Sequence, residues 1–189
     1  MIDIYSFMAG INLILFPPTF MASSLSQIVF FSILLLSLQQ ACAKKTHLHF
    51  YFHEILSGHN ATLMIVVNTN NNSLTFGTIV VVDDMLLEGL DDNSTLIGRS
   101  QGLGATVGRD GSLESMINFV FTEGKYKGST LAIYGRVVLG VTIERPVIGG
   151  TGMFRMATGY SVAKPVVVSA TKLVYEFDVY VWHKEMKDN

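Results

Sequence analysis

Glu54, in the stretch HFYFHEI, is the side chain of this sequence most suited to chemistry. If the stretch is a strand, side chains alternate between its faces and Glu54 shares one with Leu48, Phe50 and Phe52. A carboxyl on such a face loses water, its pKa rises, and it can give a proton or a hydrogen bond. The alternative is a carboxylate in water at the rim of the strand. Glu144 and Arg145 form a second charged group. Phe52, Phe119, Phe121, Phe154 and Tyr160 are candidate walls of a binding site, although aromatics on strands serve as plain core packing just as well. His47, His49 and His53 lie on the strand face opposite Glu54. The first two are within reach of a common metal, but no carboxylate or cysteine on that face completes a site, and no metal is expected. Asp83 and Asp84 also suggest metal at first sight, but read better as a turn that ends a strand. Arg99 and Gln101 share a face and read as a structural polar network. No Ser-His-Asp or Cys-His arrangement stands out, and no cofactor is implied.

A glycine cluster, VIGGTGMFRMATGY from Val147 to Tyr160, tests for nucleotide binding. A dinucleotide loop needs a third glycine where this chain has Arg155, and it must open a helix. Here Phe154, Met156, Thr158, Tyr160 and Val162 alternate instead, so the segment reads as a strand entered through a glycine turn.

The elements that must position these residues are all of β type. Runs rich in Val, Ile, Phe, Tyr and Thr cover roughly 47–56, 62–68, 76–83, 96–107, 114–122, 129–139, 152–163 and 171–183, with Gly, Asn, Asp and Ser between them. Eight antiparallel strands of this length can close into an up-and-down barrel wide enough for one small ligand. A sandwich is the main alternative. In the last run Leu173, Tyr175, Phe177, Val179 and Val181 form one apolar face, while Val174, Glu176, Asp178, Tyr180 and Trp182 form a mixed one. This suits a wall packed inside by a barrel and outside by neighbouring subunits.

Thirteen basic and fifteen acidic side chains nearly cancel, which argues against a nucleic-acid partner. The mean hydropathy of +0.41 is concentrated at the front, where residues 1–43 carry one charged side chain, Asp3. The apolar run Ile28–Leu38 has the length of a signal peptide and is too short to cross a bilayer, and Ala41-Cys42-Ala43 fits a cleavage site. We therefore assign 1–43 to a signal segment with an upstream extension and 44–189 to the mature domain, free of the membrane after processing. Met21 is a second candidate start, and an uncleaved anchor broken at Pro17-Pro18 is the competing reading. Sequons at Asn60, Asn71 and Asn93 support secretion. Cys42, the one cysteine, leaves the mature domain without a disulfide.

HFYFHEI, FGTIVVVDDMLLEG, IGRSQGL, FVFTEGKYKGSTLAIYGR, ERPVIGGTGMFRMATGY and YEFDVYV follow one another as they do in plant dirigent proteins. The resemblance spans almost the whole mature chain. It implies a secreted, glycosylated eight-stranded barrel of the allene-oxide-cyclase type in the apoplast or cell wall, assembled as a trimer or a dimer. It also implies that the barrel holds phenoxy radicals, commonly from coniferyl alcohol, so that coupling yields one enantiomer of a lignan. A separate laccase or peroxidase performs the oxidation, and no oxidative activity of its own is expected.

The resemblance further assigns roles. Glu54 stands where the family usually has a cavity Asp, which suits it to protonate a quinone methide. Lignan-forming members have a second Asp after the glycine that here is Gly135, and an Arg directly before the acidic residue that here is Glu144. This chain has Arg136 and Ile143 there, with Arg145 beyond Glu144, so Glu144 and Arg145 become the candidate charged pair and Arg136 a candidate substrate contact. After GRSQG, where the family often has aromatics, Leu103, Gly104, Ala105 and Thr106 imply a wider cavity. Two further readings stay open: a cyclase acting through a quinone methide without an oxidant, and a module that binds a phenolic in the cell wall or in defence.

Overall fold

The computed structural model describes residues 27–33, 43–68 and 75–184. Two units divide the chain at Cys42. In the first, residues 27–33 are helical, and no helix among the described residues is long and apolar enough to cross a membrane. The predicted cleavage site at Ala41-Cys42 and the sequon Asn71 lie outside the described residues.

The second unit is an antiparallel β-barrel built from nine strands: β1 (Ala43–Ile55), β2 (Leu63–Val67), β3 (Ile79–Leu87), β4 (Leu96–Thr106), β5 (Leu113–Phe121), β6 (Thr130–Val137), β7 (Ile143–Thr151), β8 (Thr158–Val168) and β9 (Lys172–Lys184). Eight of them run in the order β1-β9-β8-β7-β6-β5-β4-β3, and β1 then pairs with β3 to close the barrel. That closure excludes the sandwich. The extra strand, β2, lies beside the first half of β3, whose second half pairs with β1. One edge of β3 is thus shared by two strands, and the changeover falls at Asp83 and Asp84.

Two expectations change. Asp83 and Asp84 do not end a strand, because β3 runs through them to Leu87. The segment from Gly152 to Ala157 is not strand either: Gly152–Phe154 is a 3-10 turn, Met156 has a φ of 58°, and β8 starts only at Thr158. In exchange, Ile143–Thr151 forms β7, a strand whose Pro146, Gly149 and Gly150 disguise it. Proline lacks the N–H of a ladder, and β7 pairs with β6 only from Val147 onward, so Pro146 lies outside the bonded part of that seam.

Alternation along the strands sorts the side chains. Phe50, Phe119, Phe121, Phe154 and Phe177 pack inside with Leu131, Val179 and Val181. Rings of Phe50 and Phe119 meet edge to face at 5.1 Å, and Phe50 stacks on Phe177 at 5.7 Å. The inner row of β4 is Gly98, Ser100, Gly102 and Gly104, opposite Phe121, Phe119, Ile117 and Ser115 of β5. A methyl group at Gly102 would lie 2.1 Å from the Met116 carbonyl oxygen, so this glycine is demanded by close strand approach.

Candidate functional site

Beyond Phe177 the interior stops being filled. A cavity of about 340 Å³ opens there, at the low end of the range of small-molecule sites. Phe52, Val80, Val82, Ile117, Ile143 and Leu173 give it apolar walls, and Glu54, Ser115, Arg145 and Tyr175 give it polar groups. Gly104 also borders it, and a methyl group there would make ordinary contacts no closer than 3.4 Å. The space beside Gly104 therefore comes from an omitted side chain, unlike the tight approach at Gly102.

β1 delivers Glu54 to the cavity because Leu48, Phe50 and Phe52 occupy the same inner face. Its residue is 8 % exposed, and burial pushes the carboxyl up from 4.5 to about 7. Near neutral pH it is a competent acid. β7 delivers Arg145, with Ile143 and Val147 on the same buried face, while Glu144 points out to solvent. The strand thus parts the charged pair that the sequence suggested. Arg145 Nη1 donates to Ser115 Oγ at 3.1 Å, and its guanidinium lies 5.9 Å from the centre of the Phe177 ring. Its Nε is buried with no partner among the described residues. Burial lowers the Arg145 pKa to about 10, so the group stays charged at neutral pH.

Tyr175, read from the sequence only as part of an apolar face, places its hydroxyl at the cavity. That oxygen accepts the Gly140 N–H at 2.9 Å, which leaves the phenolic proton to donate elsewhere. Burial raises the Tyr175 pKa and keeps it protonated. Gly140, with a φ of 80°, makes the β6–β7 turn that aims this N–H.

The remaining candidates lie elsewhere. Phe52 lines the cavity. Phe119, Phe121 and Phe154 are inside the barrel but within its packed part, each at most 3 % exposed. Tyr160 is on the outer surface, stacked on Tyr180 at 5.0 Å. Arg136 also faces outward and pairs with Asp110 at 2.7 Å across the rim. Asn60 and Asn93 are exposed. On the outer wall His47 meets Asp178 at 2.8 Å and His49 meets Glu176 at 2.9 Å, carboxylates brought by β9. His53 is fully buried and pairs with Asp92 at 3.0 Å. Arg99 and Gln101 both donate to Asp83, at 2.8 and 3.1 Å.

Sequence reasoning missed Asp84. It lies on the inner face of β3 with no solvent exposure, and its Oδ1 accepts the Thr62 hydroxyl at 2.5 Å. Burial, then the nearby Glu54 carboxylate, raise its pKa from 3.8 to about 8. The available signal was the inward parity of Val80, Val82, Asp84 and Leu86, which continues through the acidic pair.

The sequence and the barrel both match known proteins. Residues 45–182 match the family model described as Dirigent-like protein. The chain belongs to the dirigent family. It is 46% identical to Dirigent protein 21 of Arabidopsis thaliana over 147 residues, covering 74% of this chain and 78% of the relative. It is 38% identical to Pterocarpan synthase 1 of Glycyrrhiza echinata over 148 residues, covering 74% and 79%. A solved structure of a pterocarpan synthase dirigent protein superposes with a TM-score of 0.72 at 36% identity, over 78% of this chain and 89% of that one. In this dirigent barrel the guanidinium comes from position 145, while Ile143 lines the same cavity. Two strand residues separate the positions, roughly 6.6 Å along one face, so the two side chains enter the interior at different depths.

Proposed function

We propose that this dirigent protein binds a flat phenolic at the Glu54–Arg145–Tyr175 end of its barrel and sets the handedness of phenoxy-radical coupling, as in the conversion of coniferyl alcohol to optically active lignans. A separate laccase or peroxidase supplies the oxidation. The carrying observation is the cavity: apolar walls that accept an aromatic ring, with an acid, a guanidinium and a phenol at separate points. Three such anchors fix which face of a bound ring is open to attack, an effect of orientation. A difference of about 1.4 kcal/mol between the two transition states gives a tenfold enantiomeric preference.

Exposed sequons at Asn60 and Asn93 support a secreted glycoprotein of the apoplast or cell wall. Across β2 to β6 the register sets Met64, Val81, Leu103, Met116 and Tyr134 side by side, and all five are exposed. This apolar belt supports a homo-oligomer, with a trimer favoured over a dimer. A second reading, an oxidant-independent cyclase acting through a quinone methide, is favoured by the relatives named pterocarpan synthase and by the raised pKa of Glu54.

The test is chiral chromatography of products from coniferyl alcohol with a one-electron oxidant, with and without the glycosylated protein. Enantiomeric excess only when both protein and oxidant are present is the expected result. Racemic product in both arms overturns the coupling reading. Turnover of a benzylic alcohol precursor without oxidant establishes the cyclase reading in its place.

A further inference from the structure

The β1–β3 seam pairs Tyr51 with Leu87, Phe52 with Leu86 and His53 with Met85. Continued by one step, this antiparallel ladder would set Glu54 opposite Asp84, at the point where β3 passes from β1 to Thr62 and β2; both residues are buried. Directly opposed residues bring their Cβ atoms to within about 5.5 Å, and like charges at that position repel. We propose that Glu54 and Asp84 hold a single proton between them, and that Asp84 acts through Glu54 as a positioning residue that keeps it a proton donor.

Thr62 fixes the arrangement. Its N–H donates to the Ile55 carbonyl at 2.9 Å and its carbonyl accepts from the Asp83 N–H at 2.9 Å. The Thr62 hydroxyl oxygen accepts the Ile55 N–H at 2.9 Å, so its own proton goes to Asp84 Oδ1. Asp84 Oδ2 is then the remaining acceptor, buried and without a partner among the described residues. An unpaired oxygen of this kind is costly unless a shared proton occupies it.

No ion pair among the described residues joins an arginine to either carboxyl. On the outer side of β3 and β4, Arg99 is engaged by Asp83. Across the cavity Arg145 is held by Ser115 and Tyr175 by Gly140. Two desolvated carboxyls facing one another cannot both ionise cheaply, so the second proton is held into the neutral range.

The chemical consequence rests on the proposed handling of a quinone methide; the shared proton does not. As a substrate hydroxyl forms its C–O bond to the methide carbon, the exocyclic C=C pair moves into the ring. Glu54 gives its proton to the former carbonyl oxygen. The oxonium left at the new C–O bond returns a proton to the carboxyl pair. Nothing is oxidised or reduced, and the pair ends with the one proton it began with.

Infrared titration of the glycosylated protein carrying isotope-labelled glutamate reads this without substrate. The Glu54 carboxylic-acid band is expected to persist into the neutral range, and to disappear in Glu54→Gln. In Asp84→Asn only one carboxyl is left to ionise, so the pair's last step disappears and Glu54 titrates alone, at a midpoint expected about one pH unit or more below that last step. Thr62→Val strips Asp84 of its donor, moves the proton toward Asp84 and lowers the Glu54 midpoint, while Thr62→Ser restores it. This pair carries the test if Asp84→Asn does not fold. A Glu54 midpoint in the ordinary carboxyl range, or one unmoved by Asp84→Asn and Thr62→Val alike, overturns the proposal. The expected titration in a protein with no effect on product handedness would instead sink the proposed function and leave the shared proton standing.

Discussion

The two ends of the barrel interior are built by the same alternation of side chains and serve opposite ends. At one, Phe50, Phe119, Phe121 and Phe154 fill the lumen with rings in mutual contact. At the other, Gly104 leaves space, while Glu54, Asp84 and Arg145 are held in a place where charge is expensive. Phe177 is the boundary, touching Phe119 on one side and lying under the Arg145 guanidinium on the other. The packed end contributes stability that lets the other end carry groups a stable core would not contain.

Substitutions that exchange the characters of the two ends test this contrast. Phe119→Ala is expected to cost about 3–5 kcal/mol in urea or thermal unfolding, because its ring is fully buried among others. Arg145→Met, at the opposite end, is expected to weaken phenolic binding by about 1.5–3 kcal/mol, the worth of a charged hydrogen bond, without lowering stability. Calorimetric titration beside a melting curve separates the two effects.

The pH dependence is next in size. Glu54 rises from 4.5 to about 7 and Asp84 from 3.8 to about 8, so the folded chain retains protons that the unfolded chain has released. Stability is therefore greatest below the ordinary carboxyl range and falls as pH rises toward 7 to 8. The double substitution Glu54→Gln with Asp84→Asn is expected to flatten that slope in melting temperatures measured from pH 4 to 8. A slope that survives it would assign the effect to other groups.

The glycines of β4 make a finer comparison. Gly102→Ala is expected to destabilise by about 1–3 kcal/mol through the clash with the Met116 carbonyl. Gly104→Ala should stay within about 0.5 kcal/mol while narrowing the cavity and shifting which phenols bind. Smallest is Arg136→Ala, which removes an exposed, solvent-screened rim pair and is expected to leave both the melting temperature and product handedness unchanged.

Alternation made much of this legible before any coordinates. It placed Glu54 and Phe52 inward and His47 and His49 outward, and it identified most of the strands. It does not tell how far along the barrel axis an inward residue lies, because that depends on the register between strands. Phe119 and Phe154 therefore look like Phe52 in the sequence, yet only Phe52 reaches the cavity. β7 was hidden because Pro146, Gly149 and Gly150 carry the composition of a turn. Asp84 was hidden for a related reason: two adjacent acids resemble a strand end, and only the pairing of β1 with the second half of β3 shows that the strand runs on through them to Leu87.

The contrast between the two ends is tested most directly by mapping amide shifts in a nuclear magnetic resonance titration with coniferyl alcohol. The account expects perturbations to cluster at Glu54, Gly104, Ser115, Gly140 and Tyr175, with amides around Phe119 and Phe154 unmoved. Shifts confined to the packed end or the outer wall, or none at millimolar ligand, would contradict it.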